Sequence, residues 1–283
     1  MRVRALAPAA LVLPGVLALA GLLGPSRAAS ADSSTPQQLA AAISGDQARM
    51  AAATAEAARL RALPAPARPV DSLRRDMQVA SSEFGFRSAA RSEQESIYRL
   101  AADAKLEGQV IRALPRSRAA GIPDTSEALR SLWRLVGIED PSLVRVHHSR
   151  NFLASEPVDS LHTYYTSAAG RYGIDWTYLA AINYVESDFG RINGPSSAGA
   201  LGPMQFLPST WRAYGSGDIM SSHDSIMAAA YYLNVHGAPT NYQRALLAYN
   251  HDSDYVAAVA GFAAALRSDS LWLSRLYYWS TYG

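Results

Sequence analysis

The stretch AAINYVESDFGRINGPSSAGALGPMQFLPSTW, residues 180–211, decides the reading of this chain. Its single glutamate, Glu186, stands near the end of an apolar segment from Ile174 to Phe189. Asp175 is placed to cap a helix beginning at Trp176, because its carboxylate can accept the free N–H groups of a first turn. Trp176, Leu179, Ile182 (or Val185) and Phe189 then recur at spacings of three and four, the period of a helix. Gly190 is the expected stop. Glu186 therefore falls in the last turn, where the helix dipole disfavours a carboxylate. Among Tyr184, Val185 and Phe189 it holds its proton longer than a glutamate in water. A general acid working near neutral pH needs that property. Position alone leaves the other reading open, a solvated glutamate at a helix end.

Working outward, four glycines and Pro195 between Gly190 and Gly202 forbid regular structure and predict a loop. So little side-chain bulk lets a stiff polymer approach the backbone, and the hydroxyls of Ser196 and Ser197 are available either to sugar substituents or to ordinary turns. Pro208 suits the first turn of a short helix over 209–214. Asp218 is read as fixing a turn and Asp224 as lying in the first turn of a helix over 225–236 that Gly237 stops. Either aspartate is also a candidate second carboxylate of the kind many glycosidases use. Helices follow over 241–249 and 253–266. The aromatic tail from Trp272 to Trp279 is read as a final helix or extended segment closing the domain. Upstream, Asp159 is expected to cap a helix carrying Leu161, Tyr164, Tyr165 and Ala168. No strand is convincing beyond a short hairpin near the loops, so the fold class is mainly α.

The N-terminal side is read from composition. Arg2 and Arg4 precede an apolar run from Ala5 to Leu23, and Ala29-Ser30-Ala31 is a small-residue cleavage site. Residues 1–31 thus read as a signal peptide, with an uncleaved anchor as the alternative. Either way the remainder faces outside the membrane, in the cell envelope or beyond. The formal charge is +2, and cleavage after Ala31 removes Arg2, Arg4 and Arg27 and no acids, leaving −1. A near-neutral mature chain gives no argument for nucleic acid. With no cysteine among 283 residues, disulfide scaffolds, thiol catalysis, cysteine–zinc sites and lipid attachment to an N-terminal cysteine are excluded.

Residues 32–138 read as a helical, partly flexible region with a proline-rich spacer at 64–69. Helix is expected over 35–63, again from Asp71 to Leu114, and from Ser126 as a cap with Leu129, Leu132, Trp133 and Val136 on one face. Heptads are not sustained, which favours a few packed or mobile helices over a long coiled coil. Residues 139–283 form the expected second unit. The adjacent His147 and His148 point in different directions and lack partners at ligand spacing, so no metal and no cofactor is expected.

Several motifs in order carry a resemblance. Glu186-Ser187, Gly190, the run Ser196-Ser197-Ala198-Gly199-Ala200-Leu201-Gly202-Pro203-Met204-Gln205-Phe206, then Pro208-Ser209-Thr210-Trp211 resemble the lytic murein transglycosylases. Tyr214-Gly215-Ser216-Gly217-Asp218-Ile219 and Ala248-Tyr249-Asn250 match in the same order. The likeness covers about the second half of the chain and is greatest to secreted actinobacterial members of the transglycosylase B type. It implies a lysozyme-like catalytic domain, of goose-type lysozyme or soluble lytic transglycosylase architecture, preceded here by a helical extension.

It further implies that Glu186 serves as the single acid and base that cleaves the MurNAc–GlcNAc bond of peptidoglycan and forms 1,6-anhydro-MurNAc. Ser197, Met204, Gln205, Tyr249 and Asn250 then bind the glycan, with the Tyr249 hydroxyl close to the glutamate. Two other functions share these residues: a muramidase with a true second carboxylate, and a wall-binding protein without turnover. The expected partner is the peptidoglycan strand, with cell-wall or division proteins considered for the N-terminal helices. The resemblance does not extend to the N-terminal half.

Overall fold

A computed structural model describes residues 34–66, 68–143, 154–192 and 194–279. The segment 1–31, read above as a signal peptide, and the His147-His148 pair lie outside the described residues. Among those described, no helix is long and apolar enough to cross a membrane. The described residues form twelve α-helices in succession: α1 (Pro36–Ala62), α2 (Pro69–Ala102), α3 (Ala104–Ala113), α4 (Arg116–Ala119), α5 (Ile122–Leu135), α6 (Val158–Tyr172), α7 (Trp176–Ser187), α8 (Pro208–Tyr214), α9 (Ser222–His236), α10 (Tyr242–Tyr249), α11 (Ser253–Ser268) and α12 (Trp272–Trp279). The only bridging extended residues among those described are Leu201 and Phe206, so the expected hairpin shrinks to one tight turn. The mainly α class holds.

Local chemistry sets most boundaries. Thr35 and Gln38 form a reciprocal capping box at the start of α1. The long helix expected over 71–114 is broken at Asp103, whose carboxylate accepts Lys105 N–H and Leu106 N–H and restarts the chain as α3. Two expected caps are corrected. Helix α5 begins at Ile122 after Gly121 in the left-handed region (φ 77°), and Ser126 is buried inside it. Tertiary contact makes the difference, because Trp272 Nε1 donates to the Ala120 carbonyl just before the turn. Helix α6 follows Pro157, with Asp159 in its first turn rather than at the cap. Asp175 caps α7 as expected, accepting Thr177 N–H. The helix ends before Gly190, because Asp188 and Phe189 already take left-handed backbone at φ 51° and 58°.

Helix α7 is the axis of the C-terminal half. Every residue from Leu179 to Ser187 is buried, and α6, α9 and α11 pack around it. Helices α1 and α2 form an antiparallel pair, and the second half of α2 packs on α5 and α12. The core runs unbroken from Leu39 to Trp279, across the division expected at residues 138/139. Tyr98 of α2 meets both Trp133 and Trp279 edge-on. Gly261 of α11 lies so close to α5 that a Cβ there would press on the Asp124 carbonyl and the Ala128 side chain.

One buried ion pair ties the ends of the chain together. Glu93 is 0 % exposed and accepts from Arg275 Nε at 2.8 Å, from Arg275 Nη2, and from Gln47 Nε2 at 2.9 Å. The Arg275 guanidinium stacks on Trp272 at 3.5 Å. Burial pushes the Glu93 carboxyl upward, while Arg275 and then Gln47 pull against it. Removing one partner strands a desolvated charge, so Arg275→Met is expected to cost roughly 3–5 kcal/mol. Urea denaturation measures this, and Glu93→Met in the same background should recover much of the loss. A variant within about 0.5 kcal/mol of wild type would show the pair to be energetically idle.

Candidate functional site

The site is assembled on the last turn of α7. One turn before Glu186, Asn183 accepts from the Tyr165 hydroxyl at 2.6 Å and donates Nδ2 to the Pro203 carbonyl at 2.8 Å. Ser187, just after the glutamate, donates to the same carbonyl at 2.5 Å and accepts from Gly190 N–H. The segment 202–206 is thereby fastened along α7. Its turn is closed by Leu201 N–H to Phe206 O at 2.9 Å and the reciprocal bond at 3.0 Å. Gly202, at φ 75°, is required there, because any Cβ would collide with the Ile219 carbonyl. Gln205 also holds a positive φ of 49°, a strained backbone for a residue with a Cβ.

Glu186 is 1 % exposed. Its Oε1 accepts from the Tyr255 hydroxyl at 2.8 Å, while Oε2 is buried without a hydrogen-bond partner. Burial pushes its pKa up to about 8, with the Tyr255 bond pulling it partly back. Tyr255 stacks parallel to Tyr249 at 6.5 Å, and the Tyr249 hydroxyl donates to the Met204 carbonyl at 2.7 Å. Burial raises the pKa of both tyrosines well above the ordinary range, and the nearby Glu186 charge adds to it. The contacts thus form a closed circuit from Glu186 through Tyr255, Tyr249 and Met204 back to the segment fastened on α7.

The expected site residues distribute unequally over this frame. Met204 is fully buried, and Gln205 and Asn250 are 4 % and 5 % exposed. Gln205 donates Nε2 to the Gly202 carbonyl at 2.9 Å, leaving Oε1 unpartnered, and Asn250 Nδ2 is likewise buried without a partner. Orphaned buried polar atoms are rare and costly. Here Glu186, Gln205 and Asn250 each carry one, all on residues of the circuit or adjoining it. That set provides a proton carrier, an acceptor and a donor. Tyr249 does not hydrogen-bond the glutamate; the tyrosine that does is Tyr255, which the sequence reading placed only in a packing helix. A tyrosine three, four and seven residues before the buried Ala258, Val259 and Phe262 was the available signal. Ser197 is exposed at the loop tip. The neighbouring Ser196 holds that loop, its hydroxyl accepting from Ala198 and Ala200 N–H at 3.1 and 2.8 Å.

Asp218 and Asp224 are occupied by their own loop. Asp218 Oδ1 accepts Met220 N–H at 2.9 Å, and Asp224 Oδ2 accepts Asp218 N–H at 3.0 Å while Oδ1 meets His223. The bond from Asp218 N–H, then His223, holds the Asp224 carboxyl below the usual carboxylate range. Among the described residues no cluster of three or more histidine, aspartate or glutamate side chains is placed to hold a metal ion.

Tyr255→Phe removes the one hydrogen bond that the Glu186 carboxyl makes among the described residues. Its pKa should then rise further, so the alkaline limb of the turnover profile should move to higher pH while kcat falls about tenfold or more. An unmoved limb would mean the phenol does not stabilise the carboxylate.

No solved structure matches the chain. Residues 163–259 match the family model of the transglycosylase SLT domain. The match runs from the first turns of α6 into α11, taking in Glu186, Gln205, Tyr249 and Tyr255 and stopping short of α12. This part of the chain is thus similar to the SLT domain of the lytic transglycosylases, whose fold is lysozyme-like.

Proposed function

We propose that the protein is an extracytoplasmic peptidoglycan lytic transglycosylase of the transglycosylase B-like kind, with Glu186 as its single acid and base. The observation that carries this reading is a fully buried glutamate with one oxygen held by Tyr255 and the other unspent. With a pKa near 8 the group is protonated at neutral pH, the form a general acid needs. Protonated Glu186 gives its proton to the glycosidic oxygen between MurNAc and GlcNAc as the C1–O bond breaks. The resulting carboxylate takes the proton of the muramic C6 hydroxyl, whose oxygen bonds to C1 of the same sugar. The acid is restored, no water is consumed, and one product ends in 1,6-anhydro-MurNAc. Attack within one sugar has an entropic advantage over recruiting water. Gln205, Asn250 and the wall formed by Met204 and Tyr249 position the glycan, with Ser197 reaching it from the loop.

The engagement of both loop aspartates supports a mechanism without a second carboxylate. Asp218→Asn and Asp224→Asn should therefore keep activity on purified peptidoglycan within about tenfold, with a modest stability loss of ~1 kcal/mol at the Asp224 position. Collapse of activity in either variant, with the fold intact by circular dichroism, would point to a hydrolase that activates water.

A further inference from the structure

Helix α2 carries an apolar stripe that the fold leaves uncovered. Val70, Leu73, Met77 and Phe84 are 55, 60, 66 and 71 % exposed, the most exposed large apolar side chains among the described residues. With the exposed Ala80 they occupy positions a, d, a, d, a of two heptads on one face of the helix. The opposite face packs on α1. Contiguous apolar surface of this kind marks an interaction site rather than ordinary exposure.

We infer that the first half of α2 pairs antiparallel with the same segment of a second copy of this chain. The stripe is complementary to itself in that direction. Met77 falls opposite Ala80 of the second copy, large against small, and Leu73 falls opposite Phe84, which gives four layers about a two-fold axis between residues 78 and 79. A parallel pair would set Phe84 on Phe84 and Ala80 on Ala80. It would also bring the two bodies to the same end, because α2 is embedded in the core from Phe86 onward. Antiparallel pairing keeps the bodies at opposite ends.

Charge separates a second copy from other occupants. The stripe is flanked by Arg74 on one side and by Asp76 and Glu83 on the other, and Arg87 continues it at the next d position, opposite Val70 of the second copy. That balance lacks the basic excess with which an interfacial helix holds an anionic bilayer. The least favourable feature of the pair is Asp76 facing Glu83 of the second copy, and Glu83 is already paired with Arg61 of its own chain. Two stripes together hide on the order of 1,000 Å², the lower end for a specific interface, so the dimer is reversible.

The natural absence of cysteine makes the test clean. Full-length chains carrying Met77→Cys or Ala80→Cys are oxidised alone and as a mixture, and wild type and Leu73→Glu are sedimented over a concentration series. The pairing predicts several-fold more disulfide dimer in the mixture than in either variant alone, and a doubly bridged dimer from Met77→Cys/Ala80→Cys. It also predicts a wild-type mass rising toward twice the monomer, with Leu73→Glu remaining monomeric at undiminished peptidoglycan-cleaving activity. Met77→Cys cross-linking alone as well as in the mixture would overturn the antiparallel register. A wild type that stays monomeric would overturn the dimer, and if it then bound vesicles of phosphatidylglycerol through Leu73, the stripe would be a membrane contact.

Discussion

Glu186→Gln is expected to lower turnover on peptidoglycan by about 10³-fold, within the range a positioned general acid supplies, while leaving the fold intact. The same change should stabilise the protein at alkaline pH, and the sign follows from linkage. The folded carboxyl titrates at about 8 against an ordinary value of 4.5. A group raised in this way favours the folded state most below its unfolded pKa, and that contribution is lost as pH rises through the folded one. Wild type should therefore lose on the order of 5 kcal/mol relative to Glu186→Gln between about pH 4.5 and pH 9. All other carboxylates are common to both proteins and cancel in the difference. Paired urea titrations at the two pH values measure it, and parallel stability curves would show that Glu186 is not desolvated. Activity of the wild type should fall away above about pH 8, where the acid is spent. A site that costs stability and supplies catalysis follows the usual trade between the two.

A chain starting near Ile138 is expected to lose cooperative folding altogether, although every motif of the SLT domain survives in it. The cut removes Glu93 and leaves Arg275, a 2 % exposed guanidinium, without its partner. It strips Tyr98 from Trp279, and removes Asp124 and Ala128 from the glycine face of α11. Helix α11, which donates Tyr255 to Glu186, packs on α5 more extensively than on α7. An uncompensated buried charge alone costs roughly 3–5 kcal/mol, a large part of a typical domain's 5–15 kcal/mol. Calorimetry of the truncated chain should show no cooperative transition. A sharp transition near the wild-type midpoint, with glycan cleavage retained, would mean that the N-terminal helices are an addition and not part of the catalytic core.

The residues that sequence alone placed well are those whose structure is decided locally. Asp175 caps α7 through its own first-turn amides, Pro208 stands in the first turn of α8, and Gly237 stops α9. Glu186 stands out as an acid among apolar neighbours in a last helical turn, but position alone leaves a solvated glutamate open, and the choice rests on the motifs that carry the resemblance. Tyr255 was not legible, since its hydrogen bond joins residues 69 positions apart and its own helix reads as ordinary packing. The start of α5 lies earlier than Ser126: Gly121 and a proline in the first turn open the helix, and Trp272, far along the chain, holds the preceding carbonyl. The continuity of the core across residue 138 likewise depends on a pair, Glu93 and Arg275, in which neither residue signals the other.

The chemistry turns on which bond breaks and on what closes the sugar left behind. Purified peptidoglycan digested with the wild-type chain, with Glu186→Gln as the control, and read by mass spectrometry tests it most directly. The prediction is muropeptides one water lighter than hydrolytic products, ending in 1,6-anhydro-MurNAc and absent from the control digest. Products with free muramic acid reducing ends would contradict it, and would return a water-activating carboxylate to the mechanism.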